Sequence, residues 1–282
     1  MLAENGSTSR SSSAAPTPRS PLSFALLVLA LAVPIWMLGR FAGVIGSLKI
    51  PVTDLLLAFI PLVAAAIMVW RNEGVGGLIA FLKSTLEFAR LARSNWLWPA
   101  LLLAPLIYSL TFLGVHVAGH QGVPVVYFSR LPVLAIIMFL LAIGEEAGWT
   151  GYLLDPLQDR FGALGASLII AVPWWLGHIP SIIAIGGTAS DIAYWLPGAI
   201  ALRVLMTWLY NGASRSLVAV ILFHTMLNVG RSVAYPTIGS QYDPVYQVTG
   251  YGIASIMAAL AVMSWGAAAK SQSKMNTPPS AR

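Results

Sequence analysis

The residues able to do chemistry in this sequence are few, and they fall in order. Glu145 and Glu146 stand side by side in Gly144-Glu145-Glu146-Ala147-Gly148-Trp149-Thr150-Gly151-Tyr152-Leu153-Leu154. His178 follows in Trp174-Trp175-Leu176-Gly177-His178-Ile179-Pro180, and His224 and Asn228 stand four apart in His224-Thr225-Met226-Leu227-Asn228. A carboxylate and an imidazole can hold and deprotonate a water. An imidazole and a carboxamide one helical turn apart share a face and can both donate hydrogen bonds to the oxyanion of a tetrahedral intermediate. Glu and His also ligate zinc, so a water held by a metal on Glu145, His178 and His224 is a second form of the same hydrolytic kit. The spacing is not the His-Glu-x-x-His of a zincin helix. The absence of cysteine excludes disulfides, thiolate metal sites and cysteine nucleophiles. Each motif alone has a plainer reading: glutamates at a helix end near Gly144, a hydrogen-bonded core histidine at 178, and interhelical hydrogen bonds from His224 and Asn228, worth about 0.6 kcal/mol on average.

What makes these residues notable is where they lie. The chain is 57% hydrophobic and 9% charged, against about 25% charged for an ordinary soluble domain. No Asp, Glu, Lys or Arg occurs in 20–39, 94–129, 161–190 or 244–269. Runs of about 18 or more uncharged apolar residues read as membrane-spanning helices. They do not alternate as barrel strands do, and a spanning backbone must pair its own amides. The expectation is an all-α polytopic membrane bundle of about eight transmembrane helices, over 22–39, 52–70, 96–118, 132–154, 163–181, 193–210, 215–233 and 246–267. In that setting an ionisable side chain within a span is a functional hypothesis by default. Adjacent helical residues point about 100° apart, so one glutamate can face a cavity while its neighbour ties helices together.

Residues 1–20, rich in Ser, Pro and Ala, read as a disordered tail, as do 269–282, leaving a transmembrane domain over 21–268. The first apolar run is longer than a signal-peptide core and is read as a retained span. Gly76–Arg93 places Leu78, Ile79, Leu82, Leu86 and Ala89 on one side and Lys83, Glu87, Arg90 and Arg93 elsewhere, the pattern of a helix in the headgroup layer, or of a cytosolic helix packed on loops. With both termini inside, eleven Lys and Arg fall on inner segments and only Arg40, Lys49, Arg130 and Arg231 on outer ones, which favours cytoplasmic termini in a bacterial-type plasma membrane. Trp96, Trp98, Trp195 and Trp265 lie near span ends, where aromatic belts are expected. The net charge of +6 resides in loops beside the spans, so a nucleic-acid partner is not inferred. No internal repeat supports a repeat-built transporter.

The three motifs resemble the CPBP family: type II CAAX prenyl endopeptidases and bacteriocin-processing or immunity proteins. The family pattern is Glu-Glu-x-x-x-Arg, then aromatic-x-x-x-His, then His-x-x-x-Asn or Asp. The resemblance covers residues 130–232 and implies a CAAX-protease-like helical fold with an intramembrane endopeptidase activity. It implies that Glu145 and His178 activate water and that His224 and Asn228 form an oxyanion hole, with Glu146 a motif member of undefined role. Members are often named metalloproteases, which implies zinc as a cofactor. The partners implied are membrane lipid and a protein or peptide substrate, prenylated by family analogy.

One position departs from the pattern: Thr150 stands where the motif has arginine, and threonine supplies no positive charge. This favours, as second reading, a non-catalytic immunity or scaffold protein of the same fold; a small proton-coupled transporter using the Glu pair is a third. Arg203, unusual inside an apolar span, is the candidate to supply the missing charge, which requires a separation of about 4–6 Å. The spans also conflict with a shared site. In straight helices Glu145 and His224 lie toward the cytoplasmic half, whereas His178 sits about 24 Å from residue 162. Tilt, a re-entrant start near Gly162–Gly165, or a different span edge is needed to bring them together. His116 and His120, near the outer end of the third span, read as interfacial.

Overall fold

A computed structural model describes residues 19–39, 41–45, 50–119, 129, 131–238 and 243–276. The helices are α1 (Pro21–Gly39), α2 (Val52–Leu57), α3 (Ile60–Thr85), α4 (Phe88–Ala92), α5 (Leu97–Val117), α6 (Leu131–Glu146), a π-helical segment (Ala147–Tyr152), α7 (Leu154–Ala184), α8 (Ala189–Gly212), α9 (Leu217–Ile238) and α10 (Pro244–Asn276). Val44–Ile45 and Ile50–Pro51 form a small antiparallel pair, β1 and β2. The protein is an all-α polytopic membrane bundle. Seven helical stretches among the described residues are long and apolar enough to span, and Leu217–Val233 is a shorter apolar helix. Large apolar side chains such as Leu22, Leu38, Leu102, Val133, Ile136, Ile256 and Leu260 face outward, which hydrocarbon tolerates and water does not. By contrast α9 is buried around its first turns: Val218, Ala219, Val220, Ile221 and Phe223 are all inaccessible. A helix apolar on every side belongs at the centre of a bundle, and α9 carries His224 there.

Two breaks in backbone geometry set the topology. Gly162 has φ 70° and ψ 171° inside α7, a conformation open to glycine and costly for other residues. Before this break, Arg203 on α8 meets Glu146, Tyr210 meets Asp155 and Asn211 meets Gln158. After it, Thr207 meets Ser167 and Arg203 covers Trp174. The chain therefore passes α8 in one direction before Gly162 and in the opposite direction after it. Glu145 lies seventeen residues before Gly162 and His178 sixteen after, or about 25 Å and about 24 Å along helical arms. The two come to one level. The conflict between Glu145 and His178 arose from the expected span edges at 154 and 163: helical structure continues to the break at Gly162. Gly74 breaks α3 in the same way (φ 69°, ψ −166°).

Three other boundaries differ from those expected. The span at 52–70 is interrupted after Leu57, so Asp54 sits on a short helix of its own. The segment 76–93 is not one helix: α3 ends at Thr85, and Leu86 and Glu87 separate it from α4. Backbone helix continues past 268 to Asn276, through a stretch containing Ala, Lys and Gln, which are good helix formers. Residues 1–18 and 277–282 of the expected tails, and Arg40, Lys49 and Arg130 of the charge count, lie outside the described residues.

The motif segment is seated against α3. A β-carbon on Gly148 would overlap the carbonyl and ring of Pro61 at the start of α3, so backbone meets backbone with no flexible side chain to yield. Gly148→Ala is expected to destabilise the protein by about 1–3 kcal/mol, read as a lowered unfolding temperature of the detergent-solubilised protein, whereas Gly177→Ala, where a β-carbon meets open space, leaves it near wild type.

Candidate active site

Glu146 ends α6 and is wholly buried. Its Oε2 accepts hydrogen bonds from the Thr150 hydroxyl at 2.6 Å and from Arg203 Nη1 at 2.9 Å, and its Oε1 accepts one from His224 Nδ1 at 2.8 Å. These donors come from the π-helical segment, α8 and α9. One carboxylate thus joins four pieces of chain. The expected role of Arg203 holds geometrically: its guanidinium is in direct contact with Glu146, and only 2% of the residue is exposed. Thr150, in the motif arginine's position, donates a neutral hydrogen bond to the oxygen that Arg203 also pairs. Arg203 Nε and Nη2 have no hydrogen-bond acceptor among the described residues. The guanidinium instead lies over the Trp174 ring, 4.1 Å from its centroid, where the negative face of the indole offsets part of the cost of burying the cation.

Trp174 organises the other wall. Its Nε1–H donates to Glu145 Oε2 at 2.8 Å, which holds that carboxylate while leaving Oε1 uncommitted. Its carbonyl oxygen lies 2.7 Å from His178 Nδ1. A carbonyl only accepts, so Nδ1 carries the proton and Nε2 keeps its lone pair. The Trp174 ring also meets His178 and His224 edge-on, at centroid distances of 5.0 Å and 5.9 Å. By the same logic Glu146, as acceptor, places a proton on His224 Nδ1 and turns Nε2 away from the carboxylate.

Glu145, His178, His224 and Asn228 line one cavity of about 440 Å³. Glu146 is not part of its lining and lies behind this wall. Two further lining residues stand out. Trp195 is turned inward against Trp174 and His178, at 5.3 Å and 5.5 Å, and not into an aromatic belt; its place near a span end fixed its depth but not the side of α8 it occupies. Asp54 on α2 lines the same cavity. Sequence reasoning passed over it because it precedes an apolar run and matches no motif, although a lone carboxylate within a span was signal enough. His116 is exposed at the end of α5, and His120 lies outside the described residues. Among the described residues, no group of three or more His, Cys, Asp or Glu side chains could hold a metal ion.

Residues 127–230 match the family model for type II CAAX prenyl endopeptidases, Rce1-like, and this segment contains all five motif residues. This stretch, a little over a third of the chain, is similar to that Rce1-like family. It is 28% identical over 147 residues to CAAX prenyl protease 2 of Methanococcus maripaludis, an alignment covering 49% of this chain and 54% of that protein. The chain thus spans about half the length of the relative it matches. Helices α1 to α5 and α10 lie outside the matched segment, so Asp54 is a residue that the family match does not reach.

If Arg203 supplies the charge absent at position 150, Arg203→Leu leaves a buried carboxylate without a cation and is expected to cost about 3–5 kcal/mol. The double change Arg203→Leu with Thr150→Arg returns a cation to the same carboxylate and is expected to recover most of that loss. Unfolding temperatures of the two single variants and the double variant test the coupling; strictly additive effects would reject it.

Proposed function

We propose that this Rce1-like protein is an intramembrane endopeptidase that hydrolyses a peptide bond of a protein or peptide substrate. The observation that carries the reading is the convergence of Glu145, His178, His224 and Asn228, from three different helices, on one cavity. In this mechanism the free oxygen of Glu145 and the Nε2 lone pair of His178 hold a water. Glu145 takes its proton as the water oxygen attacks the scissile carbonyl carbon. The carbonyl π electrons move to oxygen, and that oxyanion accepts hydrogen bonds from Asn228 and from His224 Nε2–H, with the ring protonated at both nitrogens. Glu146 serves as counter-ion to that imidazolium. Collapse of the intermediate re-forms the carbonyl, breaks the C–N bond and passes the proton from Glu145 to the leaving amine. Donors fixed in a low-dielectric surrounding are worth more than the same donors in bulk water.

The substrate class proposed is a prenylated CAAX-type protein, supported by the names of the matching family and relative and by an apolar wall of the cavity from α1, including Leu26, Leu29 and Trp36. The excess of Lys and Arg on the inner segments supports cytoplasmic termini; with Arg160 on that side, the cavity lies about 24–25 Å along both helical arms from the Gly162 break, toward the opposite half of the bundle. The immunity or scaffold reading rested on Thr150. With Arg203 in contact with Glu146, that position no longer argues for a dismantled site.

The expected outcome is that Glu145→Gln, His178→Ala and His224→Ala abolish cleavage of a prenylated CAAX peptide. Asn228→Ala lowers kcat about 10²–10³-fold with smaller change in KM, as loss of one oxyanion donor does. Retained unfolding temperature in Glu145→Gln and Asn228→Ala separates chemistry from folding. Cleavage that persists in chelator supports the water held by Glu145 and His178 alone; loss on chelation with recovery on added zinc would establish the metal-held water instead.

A further inference from the structure

Asp54 sits on α2, outside the segment that matches the family, yet it lines the cavity with Glu145 and His178. Its Oδ1 accepts a hydrogen bond from the Ser181 hydroxyl at 2.6 Å. Ser181 lies three residues beyond His178 on α7, so Asp54 faces the cavity beside the proposed water site. Its second carboxylate oxygen has no hydrogen-bond partner among the described residues. The charges acting on Asp54 come from His178, Arg231 and Glu145. Among the described residues, the Ser181 hydroxyl is the donor that reaches this carboxylate.

The other carboxylates on this wall are committed. Asp191 accepts from the Thr188 backbone N–H and hydroxyl on one oxygen and from Gln247 on the other. Glu145 has one oxygen on Trp174 and the other assigned to water. A peptide drawn into this cavity leaves water, and each of its amide N–H groups then needs an acceptor or is left as an unsatisfied buried donor. On the proposed reading of the site as a protease, we propose that Asp54 is a substrate-binding residue whose free carboxylate oxygen accepts a hydrogen bond from a backbone amide flanking the scissile bond. It would make the N-terminal helices part of the binding site and not only its packing.

The test uses the full-length protein and a prenylated CAAX peptide. Asp54→Ala is expected to raise KM about 10-fold or more with kcat changed less than threefold, in line with a lost hydrogen bond to a charged group. Asp54→Asn keeps an acceptor oxygen and is expected to fall between. Ser181→Ala, which removes only the tie to α7, is expected to stay near wild type. Replacing each flanking amide in turn by an ester gives one peptide that is already weak on the wild-type protein and loses nothing further with Asp54→Ala. An unchanged KM in Asp54→Ala, a loss reproduced by Ser181→Ala, or additive losses for every ester would overturn the assignment. Equilibrium binding of the peptide to Glu145→Gln protein, followed by the fluorescence of cavity tryptophans Trp36, Trp174 and Trp195, separates this from failure of the protease reading. Weaker binding in Glu145→Gln/Asp54→Ala supports Asp54 even if the wild-type protein cuts no peptide, and equal binding counts against it.

Discussion

The structure depends on one buried carboxylate. Glu146 has no access to solvent, and moving a carboxylate and a guanidinium into such a place costs several kcal/mol per ion before any pairing. Attraction between Glu146 and Arg203 offsets that cost only with close geometry and with the remaining lone pairs satisfied, which Thr150 and His224 do. The net contribution to stability is therefore modest. The contribution to register is large, because the donors come from three different segments and none can shift by an ångström without leaving charge unpaired. A membrane bundle has no hydrophobic force between its helices, so a polar joint of this kind is what distinguishes one packing from its neighbours. The orientation of His224 and the depth of Trp174 under Arg203 follow from it, and Trp174 in turn holds Glu145 and His178.

The π-helical segment after Glu146 is the local device that makes this joint reachable. Leu153 N–H bonds to the Gly148 carbonyl five residues back at 3.1 Å, one residue wider than an α-turn. Such widened turns recur at functional sites because they shift the faces of a helix relative to one another. Here the shift falls directly behind the glutamate pair. Thr150 turns back onto Glu146, Trp149 and Tyr152 are directed into the core against Phe24, and Gly148 accepts the start of α3. The first helix is thereby coupled to the segment next to the site, through two aromatic contacts and through Arg19, whose Nη1 donates to the Gly151 and Tyr152 carbonyls.

Much of this was legible from residue order. Uncharged apolar runs gave the all-α membrane bundle, because hydrocarbon leaves the backbone no other way to satisfy itself than helix or barrel. The offset of adjacent helical residues was enough to show that Glu145 and Glu146 point apart. What could not be read was how the arms fold back. The reversal depends on the backbone at Gly162, one glycine of 25 in the chain, and nothing in its neighbours marks it over Gly165. Trp174 was legible as the aromatic four residues before His178 but not as a donor to Glu145, since that bond spans 29 positions. Asp54 was obscured by its surroundings: a single carboxylate at the head of an apolar run looks like a span boundary until α6, α7 and α9 close around it.

The exchange of arginine for threonine at position 150 can be understood with Trp174 in view. A cation four residues after Glu146 would reach it along the same helix, a local contact that survives movement of other elements. A cation on α8 must cross between helices, and its guanidinium needs a neighbour for the N–H groups that Glu146 does not take. The indole face of Trp174 is that neighbour, and the indole N–H does for Glu145 what a phenyl ring at the same place could not. Arg203, Trp174 and Thr150 are thus one solution to a single problem, each side chain intelligible only beside the other two. The charge that a linear motif places on one helix is supplied across the bundle, and the carboxylate that needs it is equally well paired. The missing motif arginine is then a change in which helix holds the site together, and it is no argument that the site has been lost.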